Sequence, residues 1–239
     1  MKAIIGRKIG MTQVFATDGT MYPVTVVEVL PNSVVQVKTK AHDGYDALKV
    51  GYEDEKEARL TRPEKGIFVK SGTSFKKILS EVKGDELLDK KVGDNLTVDL
   101  FKAGEVVDVI GTSKGKGFTG VIKQYHYHIG PKGHGSGYHR GSGSFANNGR
   151  CNNRVIPGKK MAGRRGHDSV TILNLVVVDV NVEKNYLLIK GAIPGPKKAL
   201  VTVRSAIKTA LKAAPQIKTL VNYAKEVVAP VAPTEEGVN

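Results

Sequence analysis

Between Asp108 and Asp168 the chain runs for 59 residues without a single acidic side chain. Within 111–167 stand 11 lysines and arginines, 14 of the 27 glycines and five of the six histidines. Like charges at this density repel one another. A glycine-rich segment also has too little apolar surface to offset ordering costs of ~1–2 kcal/mol per residue. Such a stretch cannot build a core of its own, and a long coreless loop in a folded chain is functional or disordered alone. The remainder is electrically ordinary. Residues 1–110 carry 17 basic and 17 acidic residues, so nearly all of the formal charge of +14 sits in one window.

Concentrated positive charge points to a polyanion, either nucleic acid or an anionic membrane. No run approaches the ~18–20 apolar residues of a membrane span, so no membrane partner is expected. The opening MKAIIGRKIGMTQ is broken by charge and glycine too early for a secretory signal. The single cysteine, Cys151, fits a reducing, cytoplasmic setting.

The flanks of the window read as β structure. MYPVTVVEVL follows a turn at Asp18-Gly19 and ends at Pro31-Asn32, and SVVQVKTK alternates before a turn at Asp43-Gly44. ALKVGYE, NLTVDLF and GEVVDVIG follow, and SVTILNLVVVDVN, NYLLIKG and ALVTVR stand beyond the window. Short strands at this spacing predict a barrel or sandwich. Residues 55–91 lose the alternation and predict a small mixed α/β insert. SAIKTALKAAPQIKTLVNYAKEVV reads as an amphipathic helix split at Pro215, followed by a Pro/Ala-rich end. The expected organisation is a mainly β domain over 1–124 and 166–204, an extended arm over 125–165, and a helical and disordered tail over 205–239.

Three chemistries can be weighed against nucleic-acid binding. GKGFTG (115–120) follows a strand and has the outline of a dinucleotide turn. That turn needs a helix and an acid ~20 residues on, whereas the next acid after Gly120 is Asp168, 48 positions away. No cofactor, small-molecule substrate or enzyme activity is therefore expected. His126-x-His128, with His134 and His139, could suggest a metal, but carboxylates to orient the imidazoles are missing and Cys151 is the only thiol. Cys151 as a nucleophile lacks a triad scaffold.

RNA binding uses the residues that remain. Lys114, Lys116, Lys123, Lys132, Arg140 and Arg150 would neutralise phosphates along the window. Arg154, Lys159, Lys160, Arg164 and Arg165 continue the series. Phe118, Tyr125, Tyr127, Tyr138 and Phe145 offer flat faces for unpaired bases. The histidines (His126, His128, His134, His139 and His167) would stack on or hydrogen-bond to nucleic acid. Running out and back with about 20 residues each way, the arm could reach at most ~65 Å.

These residues also carry a resemblance. KAIIGRKIGMTQVF, DVIGTSKGKGFTGVIK, HYHIGPKGHGSGYHRGSGS, PGKKMAGRRG and YLLIKGAIPGPKKALVTV occur in that order over about 1–204. In them the chain resembles the bacterial large-subunit ribosomal proteins of the L-three family. The resemblance implies a closed β-barrel and an extension that penetrates ribosomal RNA towards the peptidyl transferase centre. It implies binding near the 3′ end of large-subunit ribosomal RNA, a role in nucleating subunit assembly, and the ribosomal proteins numbered fourteen and nineteen as neighbours. The chain departs from the family pattern in three places. Gln124 stands where the signature ends in Arg. The family's methylated Gln near the tip has no counterpart in SFANNGRCNN, and the stretch from Ser205 runs past the usual end. The competing class is another basic architectural nucleic-acid-binding protein.

Overall fold

The computed structural model describes residues 1–87, 89–145, 154–208 and 217–221. In chain order the elements are β1 (Ala3–Phe15), β2 (Met21–Glu28), β3 (Asn32–Lys38), α1 (Lys40–Asp43), β4 (Ala47–Asp54), α2 (Arg62–Ser71), β5 (Lys76–Val82) and β6 (Asn95–Leu96). There follow β7 (Val106–Thr112), β8 (Phe118–Thr119), α3 (Val121–Tyr125), β9 (Gly163–Arg164), β10 (Ser169–Asn181), β11 (Tyr186–Lys190) and β12 (Leu200–Ser205).

Six of these strands close on themselves in the order β1-β12-β7-β10-β11-β2, and every pairing is antiparallel. Closure removes the exposed sheet edges that invite aggregation. Alternation does the sorting: Val107 and Val109 of β7 and Val201 and Val203 of β12 are buried. Three irregularities bend the wall. β1 shifts register between Lys8 and Gly10, β10 against β7 between Ile172 and Leu175, and β10 against β11 between Val177 and Asp179. At the second, Asn174 takes φ 55° and its N–H donates to Asp108 Oδ1 at 3.0 Å. Asp108 is buried and lies 3.6 Å from the Arg204 guanidinium.

The chain between β2 and β7 forms a second sheet, β5-β4-β3-β6, covered on one side by α2. The helix opens with a capping box between Thr61 and Glu64 and stops at Gly72, which is left-handed at φ 65°. Phe68, its one buried residue, meets Phe75 edge-on at 5.9 Å. Residues 55–91 thus hold both a helix and a strand. NLTVDLF, read as a strand, keeps only the pair Asn95–Leu96 in β6 before tightening into a 3₁₀ turn over Val98–Leu100. That turn leaves Val98 and Phe101 buried.

Barrel and sheet share one core. Ile4, Val27 and Val29 pack in the same cluster as Val34, Leu48 and Tyr52. The Tyr52 hydroxyl donates to Glu28 O at 3.2 Å, and burial pushes its pKa upward, so it stays a neutral donor. Of the tail over 205–239, residues 205–208 and 217–221 belong to the described residues; Ser205 ends β12, and 217–221 are not helical. Leu220 bridges Ala16, Thr17 N–H donates to Thr219 O, and Val221 N–H donates to Phe15 O. Ile217 and Leu220 cover a small patch made by Ala16, Tyr22, Val24, Val178 and Leu188. Burying those side chains wins over local helix propensity. The rest of the expected helix lies outside the described residues.

Two glycines give opposite expectations. A Cβ on Gly6 would sit 2.7 Å from Glu28 O and from Val27 Cγ1, so Gly6→Ala should destabilise the barrel by about 1–3 kcal/mol. Gly66 lies in α2 with nothing within 4 Å, and Gly66→Ala should stabilise by up to about 1 kcal/mol. Chemical denaturation of both variants checks the pair.

Candidate nucleic-acid interface

The acid-free window leaves the barrel from β7 and returns into β10, neighbouring strands in the closed sheet. Its two limbs are tied where they depart. Ser113 N–H donates to Asp168 O at 2.9 Å, and Asp168 N–H donates to Ser113 Oγ at 3.1 Å. Lys116 N–H donates to Arg165 O at 2.9 Å, and Arg165 N–H donates to Gly117 O at 3.0 Å. β8 then pairs with β9, placing Phe118 opposite Arg164. We call this ladder the clasp. Gly166 makes it possible: at φ 75° it packs so closely on Lys114 O that a Cβ would overlap it.

GKGFTG therefore spends its glycines on the clasp. A helix does follow it, but α3 is a single turn of 5 residues, and β8 and β9 run antiparallel. The βαβ geometry of a dinucleotide site is not formed.

Past the clasp, none of the described residues of 125–145 and 154–165 is buried, as the composition requires. Side-chain ties to backbone hold the limbs together instead. Arg165 Nη1 donates to Lys123 O at 2.8 Å, the Tyr127 hydroxyl donates to Lys160 O at 3.2 Å, and Lys159 Nζ donates to Ser144 O at 2.9 Å. Lys160 Nζ stands 5.5 Å from the Tyr125 ring centre, and Tyr125 and Tyr127 are 6.4 Å apart. Further out, a loop closes around Tyr138. Gly130 N–H donates to His139 O at 2.9 Å, His139 Nδ1 meets Pro131 O at 2.9 Å, and Gly143 N–H donates to the Tyr138 hydroxyl. Gly130 and Gly141 both press on Tyr138, and side chains there would collide with it.

The expected site residues are thus distributed in three groups. Lys114, Lys116, Arg164, Arg165 and His167 gather at the clasp. Phe118 stands out from it, 80% exposed, above a groove of about 180 Å³ shared with Lys116, Lys123 and Arg140. Arg140 is brought back to the base by the Tyr138 loop although it lies beyond it in sequence. His126 caps α3 in the left-handed conformation at φ 60°, and His134 turns the outer loop at φ 56°. His128, Lys132 and Arg154 are exposed along the limbs. Arg150, like Cys151 and the rest of 146–153, lies outside the described residues. Among the described residues no group of three or more His, Cys, Asp or Glu side chains could hold a metal ion.

Charge is segregated as sharply as the sequence implies. Several lysines of the barrel and second sheet meet acids, as in Lys2–Glu105 at 2.9 Å, Lys38–Glu81 at 2.6 Å and Lys76–Asp54 at 2.7 Å. Among the described residues no arm lysine or arginine between 114 and 165 makes an ion pair. Two features of the site carry no compositional signal. The loop 191–199 lies beside the clasp, held by Lys8, whose buried Nζ donates to Ile193 O at 2.8 Å and Gly195 O at 3.2 Å. Gln124 Oε1 is buried without a donor among the described residues, an acceptor left over at the arm's root.

Comparison with known proteins agrees with this picture. The family described as Ribosomal protein L3 matches residues 67–185 and 180–229, reaching past position 204. "Large ribosomal subunit protein uL3" of Spiroplasma kunkelii is 51% identical over 208 residues, covering 87% of this chain and 79% of that protein. The protein of the same description from Bacillus cytotoxicus is 50% identical over 207 residues, covering 87% and 98%. That of Lactobacillus delbrueckii subsp. bulgaricus is also 50% identical with the same coverage.

Because the arm lacks a core, its amides in the free protein should exchange rapidly with solvent while those of the barrel are protected. The clasp amides of Ser113, Lys116 and Arg165 should be intermediate. Gly166→Ala should abolish that intermediate protection and leave the barrel unchanged, as read by hydrogen exchange residue by residue.

Proposed function

The chain belongs to the ribosomal protein L3 family, and from that premise we propose that it grips large-subunit ribosomal RNA at the clasp and threads its arm between RNA helices. It is a non-enzymatic structural constituent of the large ribosomal subunit, in the cytoplasmic ribosome. The observation that carries the RNA reading is the segregation of charge: several cations of the barrel and second sheet pair with acids, and among the described residues of the arm none does. Desolvating them against one another would be unfavourable, whereas phosphates neutralise them and release counterions.

The finer assignments rest on the family. The RNA bound lies near the 3′ end of the large-subunit molecule, binding there nucleates assembly, and the arm points towards the peptidyl transferase centre. The ribosomal proteins numbered fourteen and nineteen are the proposed neighbours. The barrel supplies a rigid mount, the clasp fixes register on phosphates, and Phe118 and the arm tyrosines offer stacking faces. Glycines without side-chain bulk let the limbs pass closely packed RNA backbones.

Base and tip then divide the work. Lys116→Ala with Arg164→Ala should weaken RNA binding and flatten the logarithmic salt dependence by up to about 2 units, at ~0.7–0.9 per phosphate contact. Changes between Ser142 and Asn153 should cost little affinity, since Arg150 is the only charge there, but should slow peptide-bond formation in assembled subunits. Salt titrations paired with peptidyl-transfer assays test this; tip variants that lose affinity while base variants keep it would overturn the assignment.

A further inference from the structure

Beside the clasp, and separate from the Phe118 groove, a cleft of about 500 Å³ opens between Thr112–Gly115 with His167 on one side and Pro196, Ala199 and Leu200 on the other. We propose that this cleft receives one unpaired nucleobase of the large-subunit RNA, turned out of its helix, with Lys114 on the adjoining phosphate. The inference rests on the RNA-binding reading and adds a discrete pocket to it.

The cleft is built rather than incidental. Its far wall is fixed through β1: Lys8 N–H donates to Ala199 O at 2.9 Å, Lys198 N–H donates to Lys8 O at 2.7 Å, and Lys8 Nζ holds two carbonyls of the same loop. Its near wall is fixed by the Ser113–Asp168 bonds. Four residues around it hold positive φ: Gly166 at 75°, His167 at 61°, Gly195 at 95° and Lys198 at 66°. Non-glycine residues in that region persist where the surroundings over-determine them, often at ligand clamps.

Its chemistry suits a base. Pro196, Ala199 and Leu200 give an apolar wall for a ring face, and Ser113 and His167 give polar atoms for its edge. The volume lies within the ~300–1,000 Å³ of small-ligand sites. No acid lines the cleft, and Lys114 stands in its wall. That is a positive environment next to a phosphate grip. It disfavours a cationic side chain from a neighbouring protein as the occupant.

The test fills the cleft from an exposed strand position. Thr112→Trp should lower affinity of the free protein for large-subunit RNA roughly tenfold, the scale of one lost base contact, with an unchanged salt slope because no phosphate contact goes. Thr112→Ser should bind as the unaltered protein does. Wild-type affinity in Thr112→Trp overturns the cleft and leaves the RNA reading intact; failure of the unaltered protein to bind overturns that reading itself. Should Thr112→Trp not fold, a photo-crosslinking phenylalanine analogue at the exposed position of Pro196, in assembled subunits, decides. Crosslinking to one ribosomal RNA nucleotide supports the cleft, and crosslinking to a protein or to nothing overturns it. Titration with adenosine monophosphate separates sources, since saturation at micromolar concentration would make it a free-nucleotide site instead.

Discussion

Everything distinctive about this chain depends on the exchange of backbone hydrogen bonds between Lys116, Gly117 and Arg165. A coreless arm bearing like charges gains nothing from folding against itself, so its geometry must be imposed from where it is anchored. The clasp does this with the least side-chain material. Two antiparallel stretches, one glycine folded onto Lys114 O and a serine bridge turn the ends of two adjacent barrel strands into one rigid root. Register errors at the root would be magnified along the limbs, which is why the tolerance for a side chain at Gly166 is nil.

A rigid root needs a rigid mount, and closure of the barrel supplies it. β7 and β10 are neighbours, so the limbs leave from one point on the wall. The bulge in β10 bends that wall, and buried Asp108 stabilises it by accepting from Asn174 N–H while facing Arg204. Beneath the other side, Lys8 plays a comparable part with reversed polarity, a buried cation satisfied by carbonyls of the 191–199 loop. Buried charges with their hydrogen bonds satisfied at both sides of the root make its shape specific rather than merely stable.

What the sequence disclosed follows from which interactions are local. Strands such as Val106–Thr112 and Ser169–Asn181 are β-branched and bounded by turns, so alternation exposes them. The arm is legible for the same reason, since charge and glycine content are sums over neighbours. β1 was harder to see because Gly6 and Gly10 interrupt it; both are explained only by partners more than ten residues away or by the bulge between them. The extended course of 217–221 was illegible because a patch on the barrel, not the segment's own lysine-spaced pattern, decides it. The return of Arg140 to the base depends on Tyr138 finding space above Gly130 and Gly141, a fit that no residue in the loop announces alone.

That last point bears on how a segment with no core can still be specific. The Tyr138 loop spends one aromatic ring, two glycines and a few backbone bonds to bring a cation 20 residues beyond Gly120 back beside Phe118. The same economy recurs where Lys160 covers Tyr125 and Lys159 reaches Ser144. Each tie is worth little alone, of the order of ~0.5–1.5 kcal/mol for a hydrogen bond or an exposed cation–π contact. Together they narrow the arm's conformations without burying the cations, whose Coulomb repulsion is screened by water until phosphates arrive. An arm held this way meets RNA with part of its ordering cost already met, yet leaves its described cations unpaired with acids.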